Sequence, residues 1–122
     1  MDISLPTDCG NAPRIAIVSD FVADWARGDA SAVSEQLAPD ATWTLVGGAA
    51  FTRGEAASRT GPGFAPDRLV MSSVITHGRL ASADGFVEVG SSRTHFSFAL
   101  RFASTSKTAK IRDVRAYLIA AD

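Results

Sequence analysis

His95–Phe102 reads HFSFALRF; after the polar break ASTSKT the chain continues as AKIRDVRAYLI to Ile119. Phe96, Phe98, Leu100 and Phe102 alternate with residues of mixed polarity, and Val114, Ala116 and Leu118 do the same on the second run. A period of two sends one set of side chains to one face, the pattern of half-buried strands. The break is of hairpin size, so the two runs are expected to form one wall of a curved sheet folded round a pocket. If the phenylalanines face inward, then His95, Ser97, Arg101, Asp113, Arg115, Tyr117 and Ile119 face outward. A face that mixes charge with Tyr and Ile has the composition of an interface. A homodimer through His95, Ser97, Arg101, Arg115 and Tyr117 is therefore expected.

Working back from the hairpin, Leu69–Ala81 reads as a long strand with a bulge or bend at Gly78. Ala83-Asp84-Gly85 reads as its turn, Phe86–Ser91 as the return, and Ser91-Ser92-Arg93 as the next turn. Towards the N-terminus, Ile15, Val18, Phe21, Val22 and Trp25 recur at helical spacing, with Asn11 as a candidate N-cap, Pro13 in the first turn and Gly28 as the stop. Asp29 can cap a short helix over Ala30–Leu37 whose buried side is Val33 and Leu37, ended by Pro39. Ala41–Val46 reads as a strand. Thr52 and Glu55 fit a capping box for a helix near Arg53–Arg59. Residues 1–10 read as a loose lead-in, and residues 11–122 as one domain. Helices first and consecutive strands after argue α+β, with the long helix laid across a strongly bent, mostly antiparallel sheet.

The 122 residues are 46% hydrophobic and 20% charged, with a net charge of −1. A core is within reach and disorder is disfavoured. Nucleic acid and anionic membrane both need a basic surface, which this balance does not supply. The single cysteine, Cys9, cannot form an internal disulfide. No apolar run reaches the ~20 residues that cross a bilayer, and no secretory signal is visible in MDISLPTDCG. A cytoplasmic protein is the default.

In order and spacing, FVADWARGDASAVSEQLAPDATW, FTRGEAA, ALRF and KIRDVRAYL resemble the NTF2-like superfamily. This cone-shaped α+β fold includes steroid Δ-isomerases, SnoaL-type polyketide cyclases and limonene epoxide hydrolase. The resemblance runs from Arg14 to the end of the chain and implies where the family's catalytic groups fall. The isomerase tyrosine on the first helix corresponds to Phe21, the general-base aspartate to Leu45 and the second oxyanion donor to Phe98. The aspartate of the epoxide hydrolases corresponds to Ala116. A phenyl ring cannot donate to an oxyanion and a leucine cannot move a proton. Both chemistries are therefore disfavoured, provided the strand register holds.

What remains is an apolar pocket of Phe21, Trp25, Trp43, Leu45, Phe64, Phe98, Val114, Ala116 and Leu118, suited to a small hydrophobic or aromatic molecule. The two tryptophans either clamp a flat ligand or fill the core. Phe64, on the loop GPGFAPDR, either caps the cavity or tucks into it. That loop lacks the helix and Lys-Ser/Thr of a phosphate loop. His77 is a candidate general base or a strand-end histidine without a catalytic partner. His95 has the parity of the outer face. No histidine spacing or core cysteine points to a metal, and no cofactor is implied. Asp113 and Arg115 are a catalytic pair or, more simply, an outer-face ion pair. Asp20, Asp24 and Arg27 read as a solvated helix face. Three functions follow: a binder of a small apolar molecule; a SnoaL-like isomerase, cyclase or hydrolase using His77 or Asp113; or a structural module that pairs with itself or another protein, its cone filled by its own aromatics.

Overall fold

A computed structural model describes residues 1–8, 10 and 12–121, without the side chains of Ala57 and Ser58. Cys9 and the candidate N-cap Asn11 lie outside the described residues. In chain order the elements are β1 (Asp2–Ser4), α1 (Pro13–Arg27), α2 (Ala30–Gln36), β2 (Leu37–Leu45), β3 (Ala50–Thr52), α3 (Arg53–Arg59), β4 (Arg68–His77), β5 (Leu80–Val89), β6 (Ser92–Phe102) and β7 (Ile111–Ala121). The strands form one curled, open sheet in the order β1-β4-β5-β6-β7-β2-β3. β1 runs parallel to β4 and β2 parallel to β7; the other pairings are antiparallel.

α1 forms where the apolar spacing predicts it. Gly28 closes it in a left-handed conformation, φ 71°, which glycine adopts without a Cβ penalty. Asp29 caps α2 by accepting from the Ala32 N–H at 3.1 Å. The stripe Val18, Phe21, Val22 and Trp25 is buried against the sheet, and Trp25 donates its indole N–H to the Thr60 carbonyl at 2.6 Å. That bond ties α1 to the end of α3.

Several local expectations need correction. The turn after β4 falls at Gly78-Arg79, with His77 opposite Leu80 and Gly78 at φ 57°. Ala83-Asp84-Gly85 is no turn but the middle of β5. There a Cβ on Gly85 would stand 1.9 Å from the Val70 carbonyl oxygen, beside the irregularity of β4 between Met71 and Ser73. Both glycines are needed, for different reasons: Gly78 for its backbone angle, Gly85 for its missing side chain. The next turn is one residue earlier than expected, with Val89 opposite Ser92.

β2 begins at Leu37, because Leu37 leaves α2 to pair with Ile111 of β7; exposed Pro39 sits in the register shift that follows. A shift of this kind tolerates a residue without an N–H. Thr52 makes no side-chain cap bond; its backbone is already paired with Thr42 at the end of β3. The lead-in is not wholly loose, since Asp2–Ser4 pair with Arg68–Val70 on the open edge of β4. No helix among the described residues is long and apolar enough to cross a membrane.

Candidate functional site

The inner face of the sheet carries the positions that the resemblance singles out. Leu45 of β2 is opposite Ala116 of β7, and Ala116 is opposite Phe98 of β6. Three consecutive strands thus place Leu45, Ala116 and Phe98 in one row. Phe21 of α1 lies over that row, its ring 6.0 Å from Phe98 edge-on. The fold therefore assembles these four positions at one place, and none of the four side chains can ionise or donate a hydrogen bond.

Around them aromatic rings pack against one another. Phe98 is edge-on to Trp25 at 5.0 Å and to Trp43 at 5.9 Å, and Trp43 lies 5.7 Å from Phe21. Phe96 extends the cluster to Trp25 at 5.5 Å. These separations are those of favourable tilted and edge-to-face pairs. Phe21, Trp25, Trp43, Phe98, Val114 and Ala116 are buried in the core, while Leu45, Phe64 and Leu118 pack half-buried against it. Phe64 thus tucks in. One polar atom is unmatched: the buried Trp43 indole N–H has no partner among the described residues.

The outer face shows the expected alternation. His95, Ser97, Arg101, Arg115 and Tyr117 are exposed. Phe86, His95 and Ile119 are aligned across three strands, and the next row holds Asp84, Ser97 and Tyr117. A concave area of about 450 Å³ opens there, with Ser73, Asp84, His95, Ser97, Tyr117 and Ile119 among its lining. Ser73 donates its hydroxyl to Asp84. Ile75, Leu80, Tyr117 and Ile119, four of the seven large exposed apolar side chains among the described residues, project from this face. On the other side of the Phe86 row, Glu88 accepts from Arg93 at 2.7 Å and from Arg68 at 3.2 Å. The Arg93 hydrogen bond is the largest influence and holds the Glu88 carboxyl below its ordinary value; burial, next in size, pushes it up, and the charges of Arg93 and Arg68 and the Arg68 hydrogen bond add to the lowering.

The weaker catalytic candidates are not brought together. His77 stands at the β4–β5 turn, whereas His95 packs edge-on against Phe86 at 5.8 Å in mid-sheet. Asp113 faces Arg115 at 3.7 Å on the outer side, which is the ion-pair reading. Asp24 pairs with Arg27 at 3.5 Å and accepts from Gln36 at 2.8 Å. The sequence reading missed Arg14. It is buried, with 9% exposure, on the α1 stripe ahead of Val18, Phe21 and Trp25. A charge at a stripe position was the available signal.

No protein-family model matches the sequence, and no curated protein matches it. Solved structures do. An NTF-2-like protein of unknown function from Burkholderia xenovorans is 14% identical, with a TM-score of 0.72 over 87% of this chain and 82% of that one. A candidate ketosteroid isomerase from Kribbella flavida is 15% identical, with a TM-score of 0.70 over 90% and 80%. An NTF2-like protein of unknown function from Cytophaga hutchinsonii is 14% identical, with a TM-score of 0.66 over 86% and 98%. With helices roofing the concave side of a curled, open sheet, and these structures superposing over most of its length, the chain has the NTF2-like fold.

Proposed function

We propose that this chain is a self-pairing interaction domain that does no acid–base chemistry inside its cone. The observation that carries the reading is the mutual packing of Phe21, Trp25, Trp43 and Phe98, whose ring separations support an interior filled by the chain's own side chains. With the interior taken up, the functional surface is outside. The outer sheet face supports a second copy as the occupant. A two-fold interface sets a patch against itself, so a patch of one sign would repel its copy. Here Asp84 and Asp113 stand among Arg101 and Arg115, alongside exposed Ile75, Tyr117 and Ile119. The test is light scattering on the purified chain at micromolar concentration. A mass about twice 12.8 kDa is expected, falling to the monomer mass in Tyr117→Asp and Ile119→Asp with unchanged far-UV circular dichroism. A parent that runs as a clean monomer removes the proposal.

A second reading rests on the Trp43 N–H. A buried donor without a partner costs about 1–3 kcal/mol, and an acceptor oxygen on a small apolar ligand, or a water, would relieve it. That reading keeps the binder of a small hydrophobic or aromatic molecule, with Trp43 supplying the one polar contact.

A further inference from the structure

At the β4–β5 turn a cavity of about 440 Å³ lies between the start of α1, that turn and the β6–β7 loop. Arg14, His77 and Lys107 line it, with the hydroxyl-bearing Thr76 and Thr105 and the apolar Ile17; no carboxylate lies among its described lining residues. Arg14 is the decisive group. Its Nη1 donates to the Gly78 carbonyl at 2.9 Å and its Nη2 to the Ser106 carbonyl at 2.6 Å and, more weakly, the Ser104 carbonyl at 3.4 Å. Its guanidinium also stacks 4.1 Å above the Phe102 ring.

A guanidinium has five N–H donors, and these bonds occupy three. Nε–H and the second Nη1–H have no partner among the described residues, and no acidic side chain there pairs with Arg14. A buried cation balanced only by carbonyls and a ring face leaves its charge uncompensated. His77 and Lys107 likewise enter no ion pair among the described residues. Among the described residues the α1 N-terminus at this cavity has neither a side-chain cap bond nor an acidic residue in its first turn, so its positive pole adds to the same field. In a chain of net charge −1, with only two lysines, Lys107 and Lys110, both on one loop, this concentration of positive groups is local.

We propose that this cavity binds a small organic oxyanion, a carboxylate or a phosphate monoester, held by Arg14, Lys107 and His77 with its apolar part against Ile17. The proposal does not depend on self-pairing. The experiment is a ¹⁵N-amide NMR titration of the full chain at constant ionic strength, with inorganic phosphate and separately with butyrate. Saturable shifts centred on Ile17, Gly78 and Thr105 are expected with at least one probe, and the responding probe tells phosphate from carboxylate. Lys107→Gln should weaken that binding about ten-fold. Arg27→Gln, the same charge loss at the far end of α1, should change it by less than about two-fold. Shifts that stay linear with both anions, or equal losses in the two variants, overturn the proposal.

Discussion

Gly85 shows what one missing side chain does for the sheet. Its strand crosses the irregular part of β4 so closely that a methyl group would meet the Val70 carbonyl at 1.9 Å. Gly85→Ala should cost about 1–3 kcal/mol by overpacking, read as a lower urea midpoint; an unchanged midpoint would mean that the strands separate freely. Glu88 supplies a pH signature. Its folded pKa is held below the ordinary 4.5, first by the hydrogen bond from Arg93. Its stabilisation is therefore present above pH 4.5 and lost as pH falls through the folded pKa. The melting-temperature gap between the parent and Glu88→Gln should be widest at neutral pH and close in acid; a gap that widens in acid contradicts this. Neither residue's role was legible in the sequence. A glycine needed for its backbone angle and one needed for its size look alike in a string of letters. Glu88 meets Arg68 from β4 and Arg93 from β6 only through strand pairing.

The longer elements were legible because period and packing agree. β6 and β7 alternate as HFSFALRF and IRDVRAYL require, and α1 buries its 3.6-residue stripe. β1 and β3, of three residues each, are too short to display a period, and only pairing reveals them. The bond from Trp25 to Thr60 joins α1 to α3. Trp25→Phe keeps most of the ring area but leaves the buried Thr60 carbonyl without this donor, so a loss of about 1–2 kcal/mol is expected, measured by denaturant unfolding. A variant as stable as the parent would show that the two helices are held by apolar contact alone. Phe98 touches both tryptophans, Phe21 and Phe96. Phe98→Ala should cost about 3–5 kcal/mol and leave a cavity.

For the molecule as a whole, the cone and its apolar interior were legible from the hairpin and the resemblance together. What residue patterning could not say is whether that interior is open or filled. Alternation reports which face a side chain takes, not how far its ring reaches into the space beyond. The separations between Phe21, Trp25, Trp43 and Phe98 argue for filled. The place of Arg14 on the stripe was visible, but not its partners, since Gly78, Ser104 and Ser106 are 64 to 92 residues away.

Acetophenone, an aromatic ring carrying one acceptor oxygen, probes the interior directly, with the Trp43 indole N–H as reporter in an NMR titration. A filled cone predicts no saturable shift of that signal in the parent and a saturable one in Phe98→Ala, where the missing ring leaves room. A saturable shift in the parent would contradict the filled interior and make the second reading, a ligand held by Trp43, the correct one.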